Sequence, residues 1–199
     1  YKGIQIYYAL QNFDSEQRDK PWGTTDALIS AKSVIDCPFV VCNGDDIYGK
    51  DTLKILASHL KENKETATVG YRLADVLPEE GKTNRGIFYV DNSQNIKKIV
   101  ETFNIESSNI KEIGLKENSL CSMNLFALDP KIIEILSEVL DEFKKNNYGD
   151  RKAECLLPVE ISNLIEQEKI SMKIYPAVDK WYGECKEYPH VGLEAHHAV

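Results

Sequence analysis

Phe39-Val40-Val41-Cys42-Asn43-Gly44-Asp45-Asp46-Ile47-Tyr48-Gly49 is the stretch that decides the fold class. Four apolar residues run into a Gly-Asp-Asp turn, the pattern of a short buried strand that stops at a polar loop. Open α/β sheets bind ligands outside the carboxyl ends of their strands. A carboxylate there can hold Mg2+ against a phosphate, because Mg2+ takes hard oxygen ligands and needs only one or two carboxylates. Asp and Gly are also ordinary turn formers. Taken locally, the turn therefore reads equally well as a ligand site or as a solvated loop.

Outward from this turn, the pattern alternates. Residues 4–10 are β-rich and read as a strand ending near Gln11. A polar loop leads to Pro21-Trp22-Gly23-Thr24-Thr25-Asp26, and 27–32 reads as a helix that starts near the two threonines. Asp51 is placed to cap a helix through Glu62, with Leu53, Leu56 and Leu60 on one face. Residues 66–73 read as the next strand. Strand–helix alternation of this kind predicts an α/β fold with a mixed, mostly parallel sheet covered by helices. Residues 85–91 and 96–102 then read as a β-hairpin insertion around Asn92-Ser93-Gln94-Asn95. A surface loop is expected over 104–118 and a strand over 123–128. Pro130 opens a helix carrying Ile132, Ile133, Leu136, Leu140 and Phe143. A short amphipathic helix over 157–168 and a strand over 172–175 complete the pattern.

Composition narrows the function. The 199 residues suit one domain with a sizeable core. A formal net charge of −8 repels a polyanionic backbone, which argues against nucleic acid as a partner. It leaves room for a small nucleotide. No apolar stretch approaches the ~20 residues of a membrane span, and no secretory signal is visible. The five cysteines, Cys37, Cys42, Cys121, Cys155 and Cys185, are odd in number and lack CxxC spacing. They read as reduced thiols of a cytoplasmic protein. The chain opens at Tyr1, inside an apparent strand, so a single domain over 1–192 lacking its N-terminal portion is expected. Residues 193–199 are expected to be a vector-derived tail.

Gly23-Thr24-Thr25-Asp26-Ala27 followed by Gly44-Asp45-Asp46 resembles the family of sugar-phosphate nucleotidyltransferases, the pyrophosphorylases that make nucleotide sugars. Asn84-Arg85-Gly86, Glu101, Ser122-Met123-Asn124, Glu154-Cys155-Leu156-Leu157-Pro158 and Lys180-Trp181-Tyr182-Gly183 extend the likeness over residues 4–183. The resemblance implies a Rossmann-like three-layer α/β/α sandwich. It also implies Mg2+-dependent joining of an NTP to a sugar 1-phosphate, with release of pyrophosphate. Asp45 would be the Mg2+ ligand at the reaction centre. Gln11, Gly23 and Thr24 would serve the nucleobase, and Asp46, Gly86, Glu101, Asn124 and Glu154 the sugar. Three features depart from the family pattern. The N-terminal Gly-rich triphosphate loop is not in this sequence. Thr102 stands where a Lys usually follows the carboxylate. Of the second metal-binding Asp, only Asp179 offers a weak substitute. A cytidylyltransferase acting on phosphocholine or another non-sugar phosphate, and a catalytically silent nucleotide-binding domain of the same fold, are the alternatives. Sequence leaves the oligomeric state open.

Overall fold

Four helices and seven strands succeed one another in the computed structural model, which describes residues 3–63 and 65–183. They are α1 Thr24–Ser30, β1 Phe39–Val41, α2 Lys50–Glu62, β2 Thr66–Arg72, β3 Thr83–Val90, β4 Ile96–Ile105, β5 Leu120–Cys121, β6 Phe126–Leu128, α3 Ile132–Asn146, α4 Leu157–Glu166 and β7 Met172–Pro176.

The sheet is mainly antiparallel, which corrects the expectation of a mostly parallel one. Among the described residues only β2 and β7 pair in parallel, from Thr66 opposite Met172 to Gly70 opposite Pro176. β6 lies antiparallel to both β1 and β2. β1 and β2 therefore do run in the same direction, as the strand–helix–strand pattern implies. A strand from later in the chain lies between them and reverses both ladders. β3 runs antiparallel to both β4 and β5, so the expected hairpin is present.

Two further expectations change. Residues 4–10 form no strand, and Tyr8 and Leu10 are 91% and 79% exposed. A strand needs a neighbour to take its backbone groups, and none of the described strands forms a ladder with this segment. The expected strand over 123–128 shortens to β6, and a separate short strand, β5, precedes it. Asn124, with φ 57°, turns the backbone into the left-handed region between them.

Helices lie against two distinct cores. α2 places Leu56 and Leu60 in a cluster with Val69, Tyr71, Ile87, Cys121 and Met123. α1, α3 and α4 place Leu28, Leu136, Ile161 and Leu164 in another, with Phe126, Leu128 and Ile174. Alternation along the strands feeds both sides: Ala127 joins the first cluster, Phe126 and Leu128 the second. Each large apolar side chain so buried is worth about 1.5–3 kcal/mol. Ser162 of α4 adds a polar stitch, accepting from the Ile99 N–H at 2.8 Å and donating to the Ile99 carbonyl at 3.1 Å. That contact holds β4 against α4. Cys37, Cys42, Cys121 and Cys155 are free thiols, and burial pushes Cys121 up to about 12 and Cys155 up to about 11. Cys185 and the expected tail 193–199 lie outside the described residues.

Candidate active site

The two carboxylates of the Gly44-Asp45-Asp46 turn have different surroundings. Asp46 Oδ2 accepts from Asn43 Nδ2 at 2.9 Å and lies 3.0 Å from the Tyr48 hydroxyl. That hydroxyl also accepts from the Asn43 N–H at 3.0 Å and lies 2.7 Å from the Met123 carbonyl. Tyr48 is buried, and desolvation with the adjacent Asp46 charge pushes its pKa up, so it remains a donor. Asp45 is exposed and makes no hydrogen bond or ion pair among the described residues. One carboxylate fixes the turn and its neighbour is left available.

Four of the five expected sugar residues form one contiguous stretch beside this turn. Tyr48 joins the turn to Met123, and Asn124 follows with its N–H 3.2 Å from Ser122 Oγ. The Ser122 N–H donates to the Gly86 carbonyl at 2.8 Å, and Gly86 pairs with Glu101 across β3 and β4. Asp46, Asn124, Gly86 and Glu101 are thus linked through successive contacts. Burial raises the Glu101 carboxyl above its ordinary 4.5, with the Arg85 charge pulling it back.

The expected base residues gather around α1. Gly23 sits at its start with φ 96°, and Trp22 and Thr25 bond the two sides of Cys155 at 2.7 and 3.1 Å. Arg18 laces the preceding loop to the 150–153 loop, donating to the Asp150 and Ala153 carbonyls while its guanidinium lies 3.3 Å over the Trp22 ring. Gln11 Nε2 donates to the Gly23 carbonyl at 2.9 Å and to Asp26 Oδ2 at 2.8 Å. Thr24 plays a structural part, since its hydroxyl accepts from the Leu157 N–H at 2.9 Å and caps α4. Glu154 pairs with Lys20. It immediately precedes Cys155 and so joins the Gly23 group, apart from Gly86 and Glu101.

A cavity of about 1100 Å3 opens elsewhere, lined by residues of β2, the start of β3 and the 176–183 segment. Arg85 lines it, whereas Gly86 and Glu101 belong to the opposite face of β3 and β4 by strand alternation. None of the nine expected site residues lines it. Sequence reasoning missed Tyr48, Asp26 and Lys144 as organisers of the site. Tyr48 lies within the deciding stretch itself, and its aromatic placement after the acidic turn was the available signal.

Residues 1–163 match the Nucleotidyl transferase family. The chain belongs to that family. Similar solved structures include the UTP-bound UGPase of Acinetobacter baumannii, at 16% identity and TM-score 0.51 over 82% of this chain and 52% of that one. A second is the UDP-glucose pyrophosphorylase of the same organism, at 16% and 0.51, over 83% and 52%. The inositol-1-phosphate CTP transferase of T. maritima follows at 12% and 0.53, over 81% and 55%. The chain spans about half the length of these structures, and at such identity they show a common fold. No curated protein matches it.

In this nucleotidyl transferase domain the candidate metal donors are few. Among the described residues no three His, Cys, Asp or Glu side chains converge as a metal cage. Mg2+ needs no such cage, since it keeps waters and shares one or two carboxylates with substrate phosphates. Asp45, exposed and unpartnered, fits such a donor. Asp179 is already engaged, its Oδ2 accepting from the Asp51 and Thr52 N–H groups at 2.8 and 2.7 Å. It caps α2 from 127 residues away, which corrects the expectation that Asp51 does so. Asp51 instead faces Lys54 at 2.6 Å. The Ile47 and Tyr182 backbones exchange bonds at 2.8 and 3.0 Å, fastening the same segment to the acidic turn.

The Thr52 and Asp51 N–H groups hold the Asp179 carboxyl below its ordinary 3.8. A lowered folded value stabilises the fold above the unfolded value and ceases to do so as pH falls through the folded one. Asp179→Ala should therefore lower Tm at pH 7. In thermal melts across pH, the gap to wild type should close below pH 3.8.

Proposed function

We propose that the complete protein joins an NTP to a sugar 1-phosphate, releasing pyrophosphate, with Mg2+ held at Asp45. The observation that carries this reading is the free Asp45 carboxylate beside the linked residues Asp46, Asn124, Gly86 and Glu101, in a chain of the Nucleotidyl transferase family. The layering of α2 against α1, α3 and α4 fits a Rossmann-like sandwich.

The reaction is an in-line displacement: a phosphate oxygen of the acceptor attacks the α-phosphorus and the pyrophosphate oxygen leaves. Mg2+, when bound, would offset phosphate charge. The chain itself contributes positioning. Glu101 would accept from sugar hydroxyls, Gly86 would let the sugar approach the backbone, and Asn124 would add an amide contact. Gln11 and Gly23 would meet the base. Asp46, through Asn43 and Tyr48, would keep the metal-bearing turn in place.

Glu101 carries a testable conflict between stability and function. Its raised folded value means that burial opposes the ionised form above pH 4.5. Glu101→Gln should raise Tm at pH 7, with the gain disappearing below pH 4.5. The same variant should raise KM for the acceptor about tenfold, by losing a charged hydrogen bond. An unchanged acceptor KM would remove Glu101 from the sugar site.

Thr102 favours a second acceptor class, a non-sugar phosphate such as phosphocholine, since the usual neighbouring Lys is replaced. Pyrophosphate release by the complete protein, with four NTPs against sugar 1-phosphates, inositol phosphate and phosphocholine, with and without Mg2+, separates these. Release with one NTP and one sugar phosphate supports the main reading. Silence from a folded protein sinks both and leaves a binding domain.

A further inference from the structure

The Gln11 amide is held by two groups of one kind. Its nitrogen lies 2.9 Å from the Gly23 carbonyl and 2.8 Å from Asp26 Oδ2, and both are acceptors. A flipped amide would set oxygen against oxygen at both contacts, so the chemistry fixes its orientation. Both amide N–H bonds are consumed. The amide oxygen remains the one uncommitted polar atom of this half-buried side chain among the described residues. Asp26 is 6% exposed, and its other oxygen lies 2.6 Å from Lys144 Nζ, on α3. Lys144 thus compensates a buried carboxylate that would otherwise be costly. The series runs from α3 through α1 to residue 11, which itself lies outside regular structure.

We propose that Asp26 and Lys144 are positioning residues that present Gln11 to the nucleotide as a hydrogen-bond acceptor only. The proposal rests on the reading of Gln11 and Gly23 as the base-facing group. The site then selects a base that offers a ring N–H at this position. A base that presents a bare ring nitrogen there is refused, because a locked amide cannot rotate to offer its own N–H. Neither Asp26 nor Lys144 needs to touch the nucleotide for this to hold.

The test uses the complete protein and compares NTPs whose base carries a ring N–H, UTP and GTP, with those whose base carries a bare ring nitrogen there, CTP and ATP. Wild type should prefer the N–H member of its pair by at least about tenfold in kcat/KM, the worth of one hydrogen bond. In Asp26→Asn, the new side-chain amide can donate to the Gln11 oxygen and free the flip. Discrimination should fall towards unity, with KM for the NTP raised and KM for the acceptor unchanged. Lys144→Met should act in the same direction, and Lys144→Arg should restore wild-type discrimination. If Asp26→Asn fails to fold, the Lys144→Met and Lys144→Arg pair serves, and full discrimination by folded Lys144→Met would overturn the proposal. Equal turnover of the N–H base and its bare-nitrogen counterpart by wild type would overturn the proposal. So would full discrimination by folded Asp26→Asn. A wild type silent with every NTP would overturn the base-site reading itself, and this proposal with it.

Discussion

Asp45→Asn in the complete protein is expected to cut Mg2+-dependent pyrophosphate release by about a hundredfold or more, because metal neutralisation of phosphate charge contributes several kcal/mol. The substitution keeps shape and removes only the charge. Asp45 is exposed and has no hydrogen-bond or ion-pair partner among the described residues, so no native contact is lost. Removing one of two adjacent like charges also relieves repulsion with Asp46. Tm should hold or rise slightly. Asp46→Asn makes the contrast: it disturbs the acceptor shared by Asn43 and Tyr48, and should lower Tm. Near-wild-type turnover by Asp45→Asn would remove Asp45 from the metal role.

Gly49→Ala should be strongly destabilising. Gly49 has φ 84°, a conformation that L side chains adopt only under strain. Its added Cβ would overlap Cβ and Oδ2 of Asp179. Something must move, and the carboxylate that caps α2 is the nearest group. Strain together with the lost cap should cost about 2–4 kcal/mol, lowering Tm by roughly 5–10 °C for a domain of this size. Gly44→Ala is the control. A Cβ there meets no atom within 4 Å, and a change within about 0.5 kcal/mol is expected. Calorimetry of the three proteins distinguishes them. Equal melting of Gly49→Ala and wild type would mean that Asp179 does not hold the helix start.

The legible parts of this protein were local. Leu56 and Leu60 lie on the buried face of α2, and the period of Ile132, Ile133, Leu136 and Leu140 marks the buried side of α3. The β3–β4 hairpin follows from two β-rich runs around a polar turn. Residues 4–10 misled for the opposite reason. Their β-rich composition is genuine, but a strand is a relation between two segments, and that relation is not written in either one.

The site divides along the same line. That a carboxylate turn follows a short strand, and that Gly23 and Gly86 mark close backbone approaches, could be read from residue types and order, although β1 is half-buried rather than buried. Thr24 as a cap for α4, Asp179 as a cap for α2, and Glu154 paired with Lys20 could not, since each contact spans well over a hundred residues. The sequence by itself determined most of the elements, their amphipathic faces and the family, because steric preference and hydrophobic period act over a few neighbouring residues. Only the tertiary structure decided that β6 separates β1 from β2, that Asp45 is free while Asp46 and Asp179 are engaged, and that Lys144 and Asp26 hold Gln11. Pairing of strands and sharing of hydrogen bonds are set by which distant groups meet, and that is settled when the two cores close around the sheet.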